Sequence, residues 1–432
     1  MTYFSLNHNA PEVIFEEAVV RGLAPDKGLY FPKTIQQLPE SFFQNIENLS
    51  HVDIAFEAIK QFVGDEIHEE DLKSILKDVL SFDFPLVEID KNIASLELYH
   101  GPTMAFKDVG ARFMARCLGY FNSKNKNTNK VTVLVATSGD TGGAVASGFL
   151  GVDGVDVVIL YPSGKVSDIQ EKQLTTLGQN IKALEVDGVF DDCQDMVKTA
   201  FLDEDLKTAR TLTSANSINI ARWLPQMFYY FFAFKTLKQK DKKLVFSVPS
   251  GNYGNICAGM MAQKLGLPIH HFVTGTNANN IVPEYLKTGN YQTKASVATI
   301  SNAMDVGAPS NFIRIEALHN NNFTQLKANL SGFSYTDSET VDAINHLKTH
   351  HDYIADPHGA IGYLALKNYM TQHPDSYGIF LETAHPIKFL PVMPEQIVNN
   401  MEMPSQIKSI LHKEKKSTII SDYKELKEFL LK

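Results

Sequence analysis

The chain has 432 residues, of which 44% are hydrophobic and 21% charged, the composition of an ordinary globular protein. This length indicates two or three lobes rather than one core. The formal net charge of -9 argues against a general nucleic-acid binder, whose surface is usually basic. An anionic small substrate stays compatible with that charge, because a few amides and one arginine can bind phosphate locally.

The cysteines and the N-terminus indicate in which cellular compartment the protein is expected. Cys117, Cys193 and Cys257 form no C-x-x-C pair, so we expect neither a disulfide framework nor a cysteine-based zinc site, and a reducing cytoplasm is the simplest location. The N-terminus lacks a basic segment followed by an apolar one, so we expect no signal peptide. The densest apolar run, residues 228–234, is too short to cross a bilayer.

Residues 1–85 are predicted to form a mainly helical N-terminal domain. Apolar side chains follow helical spacing in residues 54–62 and again in residues 72–79. Ser50, three residues before Asp53, resembles a capping box at the start of the first of these helices. Such apolar stripes are typical of core packing rather than of a binding groove.

The next informative segment, in chain order, surrounds Lys107. This lysine follows a Gly-Pro turn and has Met104, Ala105 and Phe106 as neighbours. Burial disfavours the charged ammonium, so a lysine placed this way tends toward the free amine. A free amine forms a Schiff base with a carbonyl, which is how enzymes hold pyridoxal phosphate. The alternative, which composition alone favours, is a surface lysine beside a turn.

From residue 86 onward the pattern changes to α/β. Short apolar runs rich in β-branched residues alternate with helical segments. This alternation predicts parallel sheets flanked by helices on both faces. A charged connector at residues 413–416 precedes a short C-terminal helix. The predicted strands are residues 131–136, 155–161, 181–186, 244–248, 269–274 and 377–381.

Two glycine-rich turns, residues 137–143 and 249–255, each follow a predicted strand and open a helix. Such a turn presents backbone N–H groups at the positive end of a helix, and glycine lets the chain approach an anion closely. Two turns suggest two anions. Neither turn matches G-x-x-x-x-G-K-[ST] or G-x-G-x-x-G, so the sequence predicts phosphate binding without the marks of an ATP or NAD site.

A third polar cluster contains Asn216, Ser217, Asn219 and Arg222. Spacing near 3 and 6 places the two asparagines and the arginine on roughly one helical face. From there the arginine can bind a carboxylate or a phosphate bidentately. An ordinary helix cap beside a solvated arginine fits the same residues.

Histidines give no metal site. His385 follows a predicted strand, and its position is compatible with a base, a metal ligand or a residue that only packs. We expect that it only packs. The histidine pairs at 270–271 and 350–351 lack carboxylate partners at ligand spacing.

Taken together, these segments resemble the threonine synthase family in its bacterial and fungal form, pyridoxal-phosphate enzymes of the tryptophan synthase β-like fold (fold type II). The resemblance covers nearly the whole chain, and the order and spacing of its motifs make it specific. Tyr253 stands where phenylalanine is common and Ile220 where tryptophan is common, and both keep a bulky side chain. The matching segments are residues 27–32, 101–108, 137–142, 216–219 with Arg222, 249–254, 302–305, 356–359 and 382–386.

The resemblance implies an α/β fold with an N-terminal domain at residues 1–85 and a catalytic region at 86–432. A smaller lobe at about 110–200 would move on substrate binding. The implied reaction converts O-phospho-L-homoserine and water to L-threonine and phosphate by γ-elimination and β-hydration, the last step of threonine biosynthesis. The implied partner is that small-molecule substrate, with no nucleic acid and no membrane, and the implied assembly is a monomer or a homodimer.

The resemblance also assigns roles to residues. Lys107 would carry pyridoxal phosphate and then act as acid and base, and Thr383 would face the pyridine nitrogen. Asp140 would lie near the phenolic oxygen of the cofactor, without an assigned role. The cofactor phosphate would be bound by Gly251, Asn252, Tyr253, Gly254 and Asn255. The substrate would be bound by Ser138, Thr141, Asn216, Ser217 and Arg222, with Arg222 and its neighbours on the substrate phosphate.

Two alternatives stay open. The first is a different lyase of fold type II, such as a serine/threonine dehydratase or a cysteine synthase. The cluster that ends at Arg222 argues against it, because that cluster predicts a site for a distal phosphate and the substrates of these lyases have none. The second is a catalytically silent homologue that only binds the cofactor. The presence of Lys107 together with both anion-binding turns argues against it.

Overall fold

Two mainly parallel β-sheets and one small antiparallel sheet are formed by the residues that the computed structural model describes, 1–125 and 131–432. Every strand predicted from the sequence is present, with small shifts at its ends, because each is a buried run that suits a pleated surface. The strands are β1 Tyr3–Ser5, β2 Tyr30–Pro32, β3 Leu86–Asp90, β4 Ile93–Glu97, β5 Val131–Ala136, β6 Val155–Pro162, β7 Ile181–Val186, β8 Thr211–Thr213, β9 Lys243–Pro249, β10 His271–Thr276, β11 Leu330–Ser334, β12 Ser376–Glu382 and β13 Thr418–Ile420.

Helices connect these strands and pack on their faces. Short 3-10 turns supplement them, and the one at Pro386–Val392 follows β12 directly. The helices are α1 Phe15–Arg21, α2 Glu40–Asn45, α3 His51–Val63, α4 Glu69–Val79, α5 Lys107–Asn125, α6 Asp140–Phe149, α7 Asp168–Thr175, α8 Phe190–Leu202, α9 Glu204–Ala209, α10 Ile220–Trp223, α11 Phe228–Thr236, α12 Gly254–Lys264, α13 Ile281–Thr288, α14 Phe312–Leu318, α15 Phe323–Asn329, α16 Asp337–His351, α17 Pro357–Gln372, α18 Glu395–Val398, α19 Ser405–Leu411 and α20 Tyr423–Leu431.

The larger sheet has six strands in the order β11-β10-β9-β12-β4-β3. All of its neighbours are parallel except β3 and β4, which form an antiparallel hairpin that the sequence analysis did not predict. Along β9, Phe246 belongs to a core shared with α11 and α12, whereas Val245 packs into a second core with α16 and α17. Both faces of the sheet are therefore covered, as a buried parallel sheet requires.

The smaller sheet has five parallel strands in the order β13-β7-β6-β5-β8. Val133 faces the main core, and its neighbour Leu134 faces a separate core that includes side chains of α8 and α20. The C-terminal helix was predicted, but its place was not. The tail after the exposed connector at 413–416 returns to this sheet, where it supplies the edge strand β13 and then α20.

The N-terminal segment contains the two helices that its apolar stripes predict, α3 and α4. Ser50 caps α3 by accepting a hydrogen bond from Asp53 N–H (3.1 Å), and its hydroxyl donates to the Asp53 carboxylate (2.6 Å). Tyr3 and Phe62 lie in the same apolar core as Phe113 of α5. The N-terminal helices therefore pack directly on the catalytic region.

The three cysteines lie on three different helices, α5, α8 and α12, and each is a buried free thiol.

Within residues 1–125 and 131–432, no helix has the length and apolar character needed to cross a membrane. The same residues contain no cluster of three or more histidine, cysteine or acidic side chains that could hold a metal ion.

Candidate active site

The loop before Lys107 is held against the end of β12 by backbone hydrogen bonds. Phe106 N–H donates to the Thr383 carbonyl (2.8 Å), and His385 N–H donates to the Met104 carbonyl (3.1 Å). Met104 adopts a φ of 58°, a left-handed conformation that a residue with a side chain rarely takes. This contact brings Lys107, the first residue of α5, close to Thr383, although the two are far apart in the sequence.

Lys107 lies deep in the protein, although part of its side chain still contacts solvent. Its amine forms no hydrogen bond with the described residues, and Nζ lies 5.7 Å from the centroid of the Phe106 ring. Burial lowers the pKa of Lys107, the carboxylate of Asp140 opposes this shift, and the cations Lys388 and Arg222 add to it. The amine therefore loses its proton more readily than that of a surface lysine, which suits a nucleophile.

The first glycine-rich turn joins β5 to α6 and is shaped by its own hydroxyl. Thr137 Oγ1 accepts hydrogen bonds from Gly139 N–H (3.0 Å) and Gly142 N–H (2.8 Å). The side chains of Ser138 and Thr141 are partly exposed, and neither hydroxyl has a hydrogen-bond partner in the described part of the chain. These two hydroxyls can bind a ligand, whereas the two glycine N–H groups are used within the turn.

The second glycine-rich turn joins β9 to α12, and its backbone is closely packed. Tyr253 takes a left-handed conformation (φ 61°, ψ 13°) immediately before α12 begins at Gly254. A Cβ on Gly251 would lie 2.7 Å from Met304 Cα, so no side chain fits there. The first N–H groups of α12 lack partners within the helix, and its N-terminus favours an anion.

The side chains of Asn255 and Tyr253 stabilise this turn and are not directed at a ligand. Asn255 Nδ2 donates to the Pro249 carbonyl (2.8 Å), and its Oδ1 accepts from Ile256 N–H (2.9 Å). The buried Tyr253 hydroxyl accepts a hydrogen bond from Thr274 Oγ1 (3.1 Å). Only the backbone groups of these two residues are left for the predicted cofactor phosphate.

The polar cluster after β8 does not lie on one helical face, so that prediction was wrong. Helix α10 begins only at Ile220, with Asn219 as its N-cap, and Asn216 lies in the turn before it. Asn219 Oδ1 accepts from Ala221 N–H (3.0 Å), and its Nδ2 donates to the Val19 carbonyl (2.8 Å). Asparagine is a preferred N-cap residue, and capping explains Asn219 without a ligand.

Arg222 is buried, 2% exposed, and forms no ion pair with the described residues. Its guanidinium donates to the Ala215 carbonyl, but its Nε, like Asn216 Oδ1, is buried without a hydrogen-bond partner in that part of the chain. Burial lowers the pKa of Arg222 to about 10, although Tyr229 and Asp108 oppose the shift. The side chain stays charged at neutral pH, and a buried cation with an unpaired donor favours binding of an anion.

Two residues that the sequence analysis missed, Asn311 and Arg314, connect this cluster to the second turn. Asn252 Nδ2 donates to Ser217 Oγ (2.8 Å), and Asn311 Nδ2 donates to the same oxygen (3.1 Å). Arg314 in turn donates to Asn311 Oδ1 (2.6 Å) and to the Ile218 carbonyl (2.7 Å). The structure thus joins a residue predicted for the cofactor phosphate to one predicted for the substrate. A lone arginine among the apolar residues of α14 was the only signal in the sequence.

Asp140, the first residue of α6, forms an ion pair with Lys388, which the sequence analysis also missed. Lys388 Nζ lies 2.6 Å from Asp140 Oδ1 and donates to the Thr103 carbonyl (2.9 Å). Lys388 belongs to the 3-10 turn after β12, and only the fold brings it to Asp140. His385, at the start of that turn, accepts a hydrogen bond from Ile387 N–H (3.1 Å), which fits the packed role expected for it.

The residues that the fold brings together fit pyridoxal phosphate. This cofactor needs an amine for its carbonyl, a cradle for its phosphate and a polar group at its pyridine nitrogen. Lys107 provides an amine of lowered pKa, the crowded backbone at Gly251 provides the cradle, and Thr383 is 7% exposed at the end of β12. Pairing of Phe380 with Ser247 places the ends of β12 and β9 at the same edge of the larger sheet.

Three family models match the chain: pyridoxal-phosphate dependent enzyme over residues 87–380, threonine synthase N terminus over 2–80, and threonine synthase C-terminal over 359–430. The chain belongs to the threonine synthase family. A threonine synthase of Buchnera aphidicola subsp. Baizongia pistaciae is 43% identical over 434 residues, which cover 100% of both proteins.

Solved threonine synthases share the whole fold. The crystal structure from Escherichia coli has 40% identity and a TM-score of 0.92, covering 100% of this chain and 99% of that chain. The structure of the enzyme from Brucella melitensis with bound pyridoxal phosphate has 33% identity and a TM-score of 0.93, with the same coverage. The fold class and the pyridoxal phosphate cofactor predicted from the sequence are confirmed, and the roles of individual residues stay predictions.

We expect Lys107 to carry the cofactor, because its amine forms no hydrogen bond with the described residues and burial lowers its pKa. Borohydride reduction of the holoenzyme, followed by peptide mapping, should find the cofactor on the peptide that contains Lys107. Lys388 serves as the internal control, since it is buried at the same site but forms an ion pair with Asp140. Cofactor found on Lys388, or on any lysine other than Lys107, would contradict the assignment.

Gly251→Ala should weaken cofactor retention, because the new Cβ would collide with Met304 and displace the turn. Gly254→Ala is the matched control, since its Cβ would come no nearer than 3.3 Å, to a side-chain atom of Asn311. After dialysis, cofactor absorbance should be lost from the first variant and largely kept by the second. Full retention by Gly251→Ala would mean that this turn does not bind the cofactor phosphate.

Proposed function

We propose that this chain converts O-phospho-L-homoserine and water to L-threonine and phosphate. The observation that carries this proposal is Arg222, a buried cation without an ion-pair partner among the described residues, whose charge acts on Lys107. A substrate with a distal phosphate needs such a cation in addition to the cradle for the cofactor phosphate. The substrates of a serine/threonine dehydratase or a cysteine synthase carry no phosphate and need none.

The residues divide the chemistry among them. When bound, pyridoxal phosphate supplies the electron withdrawal that acidifies the protons on Cα and Cβ of the substrate. Lys107, whose pKa is lowered by burial, removes the Cα proton and returns protons to carbon. Arg222 holds the phosphate while its bond to Cγ breaks, and water then adds at Cβ. The hydroxyls of Ser138 and Thr141, which have no hydrogen-bond partner in the part of the chain that the structure describes, bind other substrate groups from the first turn.

The same proposal includes the division of the chain. Residues 1–85 form the N-terminal domain, and within the catalytic region, 86–432, a smaller lobe at about 110–200 closes over the substrate. The five-stranded sheet supports this division, because Ser138 and Thr141 follow its strand β5, whereas Thr383 follows β12 of the larger sheet. We further propose a monomer or a homodimer that acts in the cytoplasm on a small-molecule substrate, without nucleic acid.

Arg222→Ala should harm substrate binding more than cofactor binding. A charge-assisted contact to phosphate is worth about 1.5–3 kcal/mol, or about ten- to a hundredfold in affinity. Titration with O-phospho-L-homoserine at saturating pyridoxal phosphate measures the loss. Arg116→Ala is the control, because Arg116 is an arginine of the catalytic region that already forms an ion pair, with Asp78. Unchanged affinity in Arg222→Ala would move the phosphate site elsewhere.

Elimination and hydration should occur on different carbons of the substrate. In ¹⁸O-labelled water the label should enter the β-hydroxyl of threonine and be absent from the released phosphate, because the phosphate leaves with its own ester oxygen. Mass spectrometry of both products distinguishes the outcomes. Label in the phosphate with homoserine as the product would mean phosphatase chemistry, in which Lys107 has no central role.

A further inference from the structure

The ion pair between Asp140 and Lys388 lies where the parts of the molecule built around the two sheets meet. Asp140 begins α6 beside the smaller sheet, and Lys388 follows the larger sheet. Their side chains are 5% and 0% exposed, and Nζ lies 2.6 Å from Oδ1. Helix α7 encloses the pair, since Gln170 donates to Asp140 Oδ1 (2.8 Å) and the hydroxyl of Ser167 donates to the Lys388 carbonyl (3.2 Å).

Lys388 also acts on two other titratable groups. Asp108 accepts hydrogen bonds from the Thr103 hydroxyl (2.5 Å) and the Thr103 N–H (2.9 Å), and burial raises its pKa although Lys388 and Arg112 oppose the shift. His385 is kept neutral, since burial, with smaller effects from other charges, lowers its pKa to about 4. Neither group forms an ion pair with Lys388.

Three charges therefore act on Lys107: the carboxylate of Asp140 and the cations Lys388 and Arg222. Burial alone would raise the pKa of Asp140, but Lys388 and Lys107 outweigh burial and hold that pKa well below its usual range. Asp140 is thus ionised at neutral pH. A buried carboxylate next to a lysine would normally keep the ammonium protonated, and here its charge is already neutralised by a second lysine.

We propose that Lys388 is a positioning residue that sets the protonation state of Lys107 by pairing with the Asp140 carboxylate. With Lys388 in place, Lys107 faces a neutralised carboxylate and one further cation, so its free amine is favoured. Without Lys388, Asp140 would pair with Lys107 and hold its proton. This inference rests on the proposed role of Lys107 as the cofactor lysine, and it gives Asp140 the function that the sequence left unassigned.

Capture of pyridoxal phosphate by the apoenzyme tests this, because capture requires the free amine. The capture rate, followed by visible absorbance over a pH series, gives a midpoint for each variant. Lys388→Met should raise the midpoint by about one unit or more, and Asp140→Asn should lower it by a similar amount. Lys388→Arg keeps the charge and should stay near the wild-type midpoint.

The distinguishing result is that the Lys388 and Asp140 variants shift the capture midpoint in opposite directions. If the ion pair were purely structural, the loss of either partner would cause the same defect. The double variant Asp140→Asn/Lys388→Met buries no unpaired charge of this pair, and its midpoint should exceed that of Asp140→Asn alone. This comparison decides the sign even if Lys388→Met does not fold.

Peptide mapping of the reduced holoenzyme separates the two ways to fail. Shifts of the same sign, or a double variant with a midpoint no higher than that of Asp140→Asn, would overturn the inference while the cofactor is still found on Lys107. The proposed function would then stand. Cofactor found on another lysine would overturn both the inference and the assignment of Lys107.

Discussion

The backbone contact between residues 104–106 and 383–385 positions the groups of the candidate active site. Ala105 and Ala384 form an antiparallel bridge, flanked by the hydrogen bonds that Phe106 and His385 donate. This contact fixes where α5 begins and therefore where Lys107 lies. It also carries Thr383 and leads directly into the turn that contains Lys388. Main-chain hydrogen bonds thus align the amine, the hydroxyl predicted at the pyridine nitrogen and the partner of Asp140.

Local charge at the site opposes the charge of the whole chain. The formal net charge is -9, yet Arg222 and Arg314 are buried with only neutral hydrogen-bond partners among the described residues. Burying a charge without a counterion is unfavourable. An anionic cofactor and a phosphorylated substrate are ligands whose charge would offset that cost. The net charge argued only against a general nucleic-acid binder and gave no information about this interior.

Local patterns predicted β5, β6, β7, β9, β10 and β12, the helices α3 and α4, and both glycine-rich turns, because each is encoded within about ten residues of sequence. The hairpin of β3 and β4 was missed, since its turn at Lys91 and Asn92 carries no glycine signal. The partners of Arg314 and Lys388 lie on distant segments, and one sequence offers no pattern for such pairs. Asn219 was placed on a ligand-binding face because a cap and a ligand-binding asparagine look alike until the start of the helix is known.

The cysteines give the molecule three built-in reporters. Cys117 and Cys257 lie in the core that the N-terminal helices share with the larger sheet, whereas Cys193 packs in the separate core beside the smaller sheet. Burial raises the pKa of each thiol, so thiolate is scarce as long as the surroundings stay closed. Modification of Cys193 by a thiol reagent would therefore time the opening of the smaller sheet's core separately from that of the rest of the protein, without any introduced label.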